Sequence, residues 1–488
     1  MADSSFPIPL DQFRDLLGPK GLITDADAIA PWLSDWRGRF HGQSPAILAP
    51  ATTQEVAAVV ALARDHAIPL VPQGGNTSMV GGATPPQDGR ALILSLRRMN
   101  HIREISPEHN RAICEAGVIL TTLHEAAEAV GRRFPLSLGA KGSATVGGLV
   151  STNAGGTQVL RHGTMRGLVE GIEAVLPNGL IYEGLHPLKK DNRGYDIRHL
   201  LIGAEGTLGV VTAATLRLVP ALTRTATAWV GVERPHDALA LLRLLEQRFG
   251  QTLEGFEVIA GDCLDHVIAH IPGAKSPIAT PAPWHVLIEF DLSDAPDAAE
   301  AEQKILTVLT DFLENGFMGS TGGIDATIAQ NEAQAQAFWR LRESLSEAER
   351  AQGPALQFDI SVPVERMPDY MIDTARAAAA RFPGTSASSF GHLGDGNVHF
   401  HVRSPKGTTD GPAWIARQGE EISRFVHDAV EAAGGSISAE HGIGQMKRAE
   451  LGRLASPARL SAMRAIKQAL DPLGIMNPEK LIPLASEG

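Results

Sequence analysis

Two cysteines in 488 residues, Cys114 and Cys263, lie far apart and outside any C-x-x-C pair. That excludes a disulfide framework, fits a reducing compartment and leaves neither thiol as a catalytic candidate. Long hydrophobic runs are also missing. The longest, Val56 to Ala63, is eight residues, against the roughly 20 needed to span a bilayer, so no membrane span is expected. Met1-Ala2-Asp3-Ser4-Ser5-Phe6 has neither a basic start nor an apolar stretch; it is not a secretory signal, and cytoplasmic residence is the expectation. Positive charge is scarce as well. A formal net charge of -12 without a basic patch repels phosphate backbones, so nucleic acid is not an expected partner. Neither the G-x-G-x-x-G dinucleotide fingerprint nor a GKS/GKT phosphate loop occurs.

What is present is an ordinary globular composition, 43% hydrophobic and 20% charged, in a chain longer than one hydrophobic core supports, so two or more domains are expected. The N-terminal half alternates helix and strand. Thr52-Thr53-Gln54-Glu55 has capping-box spacing and opens an amphipathic helix to about Ala67. Short strands follow at Pro69 to Pro72, Ala91 to Leu96 and Ala112 to Ala116, with a helix at Thr121 to Val130. Three glycine-rich tracts interrupt this rhythm, at 73–82, at 138–148 continuing through 151–156, and at 203–211 ahead of a strand ending at Pro220. Small residues in tight turns expose successive backbone N–H groups, and such nests hold phosphate.

Farther on, Thr225 to Val232, His236 to Phe249, Phe256 to Ile259, Trp284 to Leu292 and Ala298 to Leu313 read as strand, helix, strand, strand and helix. Near the end, Ser456 as N-cap, Pro457 at N1 and apolar Leu460, Met463, Ile466 and Leu470 mark a helix that Pro472 stops. Between these lies a metal-ligand set. His392, His399 and Glu440 stand in two glycine-rich segments, Gly391-His392-Leu393-Gly394-Asp395-Gly396-Asn397-Val398-His399-Phe400-His401 and Ser438-Ala439-Glu440-His441-Gly442. Two imidazoles and a carboxylate suit zinc or manganese, and three protein ligands leave a position open for substrate. In an extended stretch His399 and His401 share a face.

These motifs resemble a known family. Pro72-Gln73-Gly74-Gly75-Asn76-Thr77-Ser78, Thr145-Val146-Gly147-Gly148, Asn153-Ala154-Gly155-Gly156 and Gly203-Ala204-Glu205-Gly206-Thr207-Leu208-Gly209 look like the FAD-binding domain of the vanillyl-alcohol oxidase superfamily. The histidine segment and Glu440-His441-Gly442-Ile443-Gly444 are similar to its D-2-hydroxyglutarate and D-lactate dehydrogenase branch, which also holds the flavin subunit of glycolate oxidase. The resemblance implies an α+β chain: a two-subdomain FAD-binding domain over 1–220, an α+β substrate or cap domain over 221–430, and a C-terminal helical segment, 431–488, returning to the FAD domain. It implies FAD-binding residues at Gln73, Gly74, Gly75, Asn76, Thr77, Ser78, Gly139, Thr145, Gly148, Asn153, Gly156, Gly163, Glu205, Gly206, Gly209 and Val210. Asn76 stands where some members carry a flavin-linked His, so the FAD is expected to be noncovalent.

The activity implied is oxidation of a D-2-hydroxy acid by hydride transfer to flavin N5, assisted by a divalent ion on His392, His399 and Glu440. His441 is the candidate general base, with a fourth-ligand or supporting role as its alternative. Arg342, on a probable helix, offers a planar fork for the substrate carboxylate, with Ser346 one turn beyond it on the same face; a solvated surface arginine is the plainer reading. Asn477 in the tail is carried over as a further site residue. The pattern breaks at Gln357, where a Lys is usual in D-2-hydroxyglutarate dehydrogenases, and at His401, where an Asn is usual. Losing a cation favours a monocarboxylate such as D-lactate, or a bulkier acid. Expected electron acceptors are a quinone, an electron-transfer flavoprotein or a cytochrome, through which the chain would be peripheral to a membrane, and the family makes a homodimer reasonable. Rival readings are a flavin-free metal hydrolase, non-redox chemistry on FAD, and a flavin subunit of a larger complex.

Overall fold

A computed structural model describes residues 8–483; the Met1 to Phe6 segment read above lies outside them. The chain divides into two compact units. One takes in the chain up to Gly156, His162–Ala221 and the chain from Glu440 onward; the other is Thr157–Arg161 with Leu222–Ala439.

In the first unit, a small sheet orders its strands Leu22–Ile23, Ile47–Leu48, Leu92–Ser95 and Leu70–Gln73. Its last two pairings are parallel, and the Leu92–Ser95 strand is buried throughout, as a strand covered on both faces must be. Helix Thr53–Asp65 packs Val56, Val59, Val60 and Ala63 inward, the i, i+3, i+4, i+7 stripe of a core-facing helix. Each buried valine contributes roughly 1.5–3 kcal/mol. The helix starts where its cap lies: Thr52 Oγ1 accepts from Glu55 N, and Glu55 Oε2 accepts from Ala51 N. It stops at Ala67, whose φ of 50° is left-handed.

A second sheet in this unit is antiparallel, ordered Ile102–Ser106, Arg111–Glu115, Val210–Arg217, Val169–Val175 and Ile181–Gly184. The strand expected to run to Pro220 ends at Arg217; Val219–Pro220 leaves it to pair with Arg132–Arg133. The second glycine tract, read above only as a loop, contains the helix Val146–Thr152. Gly147 belongs there because a Cβ would lie 2.6 Å from Ala116 Cβ. Helix Pro457–Leu470 is capped by Ser456, whose Oγ accepts from Arg459 N, and ends at Asp471 next to Pro472. The tail then rejoins the small sheet, Leu70 N donating to Ile475 O and Asn477 N to Leu70 O.

The second unit is built on a seven-stranded antiparallel sheet. Its strands run, in spatial order, Gly323–Ile328, Thr225–Val232, Trp284–Asp291, Leu253–Ala260, Ser386–His392, Asn397–Arg403 and Ala355–Ser361. One face packs Trp229, Ile259, Leu287 and Phe390 with Phe338, Leu341, Leu345 and Ala348, which come from helices Glu332–Glu343 and Leu345–Ala351. Those two helices do not form the single run expected through Ser346. The chain turns at Ser344, which ends the first and caps the second. Leu345, Ala348 and Glu349 take the inward positions of the second helix, and Ser346 is exposed on it rather than one turn beyond Arg342. No described helix is long and apolar enough to cross a membrane.

Candidate active site

In the first unit the strand Leu70–Gln73 runs directly into the first glycine tract. A Cβ on Gly74 would lie 2.2 Å from Thr145 Oγ1, and one on Gly75 1.8 Å from Ser143 O, so this turn lies against the second tract only because it lacks side chains. Asn76, with φ of 54°, donates from Nδ2 to Ser34 O at 2.8 Å, and Gln73 Nε2 donates to Ala83 O at 2.9 Å. Ser78 Oγ, next to Thr77, accepts from Gly82 N, which closes the loop 78–82. Thr145 caps helix Val146–Thr152, Gly148 sits over Thr145 Oγ1, and Asn153 ends the helix in the left-handed region while accepting from Arg166 N. Gly156 abuts Ser137 O, whereas Gly139 and Gly163 face open space.

The third tract is tied to the returning chain. Glu205, with φ of 50°, accepts from Ile443 N and Gly444 N at 2.7 and 2.8 Å, and a Cβ on Gly442 would crowd its carboxylate. His441 is therefore held at the mouth of a segment anchored by Glu205. Burial pushes the Glu205 carboxyl up, against the pull of those two N–H groups and of Lys447 and Lys480. Gly206 packs on Pro72, Gly209 approaches Val175 O, and Val210 opens the buried strand. Asn477 joins the tracts, its Nδ2 donating to Gly82 O and Glu205 O at 3.0 and 2.6 Å. Gln73 Oε1, Thr145 Oγ1 and Asn477 Oδ1 are buried with no hydrogen-bond partner among the described residues. Buried polar atoms are ordinarily paired. The Thr145 hydroxyl can donate to a phosphate oxygen, the two amide oxygens can accept from N–H or O–H groups of a flavin nucleotide, and the glycine turns bring backbone N–H groups close, so these residues fit FAD.

In the second unit the strands Ser386–His392 and Asn397–Arg403 form a hairpin. Its turn depends on Gly396, whose φ is 80° and whose missing Cβ would lie 2.1 Å from Val362 O. His392 pairs with Asn397 and Phe390 with His399 across the ladder, so His392, His399 and His401 share a face. The His392 and His399 ring centroids are 5.8 Å apart, and Phe390 lies 5.1 and 5.4 Å from His399 and His401. On the next strand Asp359 faces His399 and Gln357 faces His401.

Behind His392 is a residue that the sequence reading missed. Glu257, fully buried, takes His392 Nδ1 on Oε1 at 2.5 Å and Arg342 Nε on Oε2 at 2.6 Å. Burial opposes its charge, but the Arg342 guanidinium and His392 hold the carboxyl below its usual range. With Nδ1 committed to a carboxylate, metal ligation by His392 falls to Nε2, and a carboxylate on Nδ1 is the usual support of a ligating imidazole. Arg342 is not a solvated surface residue. It is buried, its guanidinium 5.0 Å from the Phe390 ring centroid, and its Nη1 and Nη2 donate to no described residue. The available signal was a carboxylate between Phe256 and Val258 in an apolar strand, where an unpaired charge is not tolerated.

His401 belongs to a second buried carboxylate. Its Nδ1 is 3.3 Å from Glu349 Oε2, which also accepts from Arg403 Nε at 3.0 Å, while His266 Nδ1 is 2.7 Å from Glu349 Oε1. Burial opposes ionisation of Glu349, yet His401, Arg403 and His266 hold it at about 2. Arg403, two residues beyond His401 on the same strand, is thus already neutralised by Glu349. Glu440 is the residue at which the chain leaves this unit; Ser436, four residues before it, is bridged to Ser361, the ladder partner of Asn397. Two imidazoles on one face, one of them oriented by a carboxylate, fit a divalent ion such as zinc or manganese.

Comparison with known proteins agrees with both halves. The profile of the FAD linked oxidases, C-terminal domain, matches residues 222–481, and that of an FAD binding domain matches residues 44–184. A mitochondrial D-2-hydroxyglutarate dehydrogenase of Bos taurus is 37% identical over 468 residues, 95% of this chain and 82% of the relative. One from Arabidopsis thaliana is 35% identical, over 96% of this chain and 81% of its own length. A D-2-hydroxyglutarate dehydrogenase of Xanthomonas citri pv. viticola is 36% identical, over 92% and 91%. Among solved structures, p-cresol methylhydroxylase with substrate bound aligns at a TM-score of 0.71 and 18% identity, covering 96% of this chain and 95% of that one. At that identity the likeness concerns the fold.

Proposed function

This chain belongs to the FAD-linked oxidases, and from that premise we propose that it is a dehydrogenase that oxidises a D-2-hydroxy acid, of the class that includes D-2-hydroxyglutarate and D-lactate, to the 2-oxo acid. The observation that carries this reading is the Arg342 guanidinium, pinned through Nε and with neither Nη group donating to a described residue, on the sheet face that holds His392 and His399. Arg342 grips the substrate carboxylate through those N–H groups. His392 and His399, with Glu440 as the third donor, hold the hydroxyl end. When bound, FAD accepts the hydride and a divalent ion lowers the pKa of the substrate hydroxyl. His441, adjacent to Glu440, accepts the hydroxyl proton on a ring nitrogen, because imidazole titrates near working pH. Gln73, Asn76, Thr145, Glu205 and Asn477 shape the FAD cradle. Gln357 and His401 line the part of the face into which the substrate side chain extends; neither is a fixed cation, so this pocket tolerates a side chain without a distal carboxylate.

Anaerobic titration of the FAD-loaded chain with D-lactate, L-lactate and D-2-hydroxyglutarate tests this. A D-acid should bleach the flavin, and either a chelator or His441→Asn should slow bleaching by about 100-fold or more with FAD still bound. Bleaching untouched by both treatments would remove the metal and the base from the reading. Failure of every hydroxy acid to bleach the flavin would remove the substrate class.

A further inference from the structure

We propose that Glu257 is the positioning residue of this site: one buried carboxylate sets both the metal-binding imidazole of His392 and the carboxylate-gripping guanidinium of Arg342. The inference rests on the function proposed above and adds a residue that touches neither substrate nor cofactor. Among the described residues each oxygen has one hydrogen-bond partner, Oε1 facing His392 Nδ1 at 2.5 Å and Oε2 facing Arg342 Nε at 2.6 Å. An ionised carboxylate only accepts, so both partners donate. His392 is thereby fixed with its proton on Nδ1, its ring plane set and its Nε2 lone pair directed away from Glu257. Arg342 is fixed by its Nε, and its two Nη groups are left for a ligand, the part of the fork suited to a carboxylate.

Glu257 itself does not shift. Its strand, Leu253–Ala260, is paired on both sides, Glu257 standing opposite Leu287 on one neighbour and opposite His392 on the other. The side chain is fully buried, and Arg342 is held against the Phe390 ring. A charge in such a place persists only with its partners in geometry. One carboxylate therefore ties together two functions that lie 85 and 135 residues away in sequence.

The test uses the FAD-loaded, chelator-stripped full chain, titrated with zinc against a competing chelating dye, together with KM for the best D-2-hydroxy acid. Glu257→Gln keeps the shape but has a single accepting oxygen, so one of the two donors meets an NH2 group. Zinc affinity should fall 10- to 100-fold, or KM should rise by a similar factor, with FAD content unchanged. Neither change in a folded variant would overturn the proposal. Should Glu257→Gln not fold, the double variant Glu257→Leu/Arg342→Met replaces the buried ion pair by apolar groups, a change that folded proteins tolerate. His392 then has no carboxylate, and zinc affinity should still fall 10- to 100-fold; wild-type affinity in that variant would overturn the proposal. If the wild-type chain takes up no zinc, the metal reading fails, and Glu257 with it. Normal zinc uptake by the wild type, with both zinc affinity and KM of Glu257→Gln unchanged, defeats Glu257 alone.

Discussion

Gln357 and His401 face each other across neighbouring strands, and Arg403, two residues beyond His401 on its strand, already serves Glu349. A distal carboxylate entering this end of the face finds amide and imidazole hydrogen bonds rather than a dedicated positive charge. Placing a cation there should change the choice of acid. Gln357→Lys is expected to raise kcat/KM for D-2-hydroxyglutarate relative to D-lactate by about tenfold, the equivalent of roughly 1.4 kcal/mol of differential transition-state binding. An unchanged ratio in steady-state assays would show that residue 357 does not sense the distal group. Arg342 teaches a related lesson at this scale. Its residue type suggested a carboxylate grip, but its burial against Phe390 and its Glu257 contact are what distinguish it from the exposed Arg340, two residues away on the same helix.

Among the elements, capped helices were the most legible. Thr52 and Ser456 each begin a helix that ends near the expected point, because a cap satisfies N–H groups within three residues of itself and needs no distant partner. The strand at Thr225–Val232 and the helix after Pro235 were equally plain. The break at Ser344 was not, since what turns the second helix inward is the burial of Leu345, Ala348 and Glu349 under a sheet assembled from remote strands. The first and third glycine tracts were legible as turns, but the helix in the second and the close approach of the tracts to one another were not. That approach yields a test of the FAD cradle. Gly75→Ala would place a methyl group 1.8 Å from Ser143 O, and because the obstruction is backbone the loop must move. FAD affinity, followed by flavin release on dilution, should fall about tenfold or more, while thermal unfolding of the apoprotein changes little. Full FAD retention would place the cofactor elsewhere.

For the molecule as a whole, buried carboxylates couple stability to pH. Glu349 has a usual pKa of 4.5 and is held at about 2 in the folded chain. The folded pKa is the lower, so this contribution is fully present above about 4.5 and is lost as pH falls toward 2. Stability measured by denaturant unfolding should therefore fall steeply between pH 5 and 2, a window that brackets those values, by up to about 1.4 kcal/mol per pH unit from this group. Glu349→Gln should flatten that slope; an unaltered slope would show that His266, His401 and Arg403 do not stabilise the carboxylate. The sequence by itself determined what depends on neighbours within a turn or a strand: caps, strand alternation, glycine turns, and the clustering of His392, His399, Glu440 and His441 in two short segments. Tertiary structure alone decided that Glu257 holds His392 and Arg342, that Glu349 holds His401 and Arg403, and that Asn477 closes on Gly82 and Glu205. Those are contacts between residues far apart in the chain, set by which strands pair, and local pattern carries no record of that pairing.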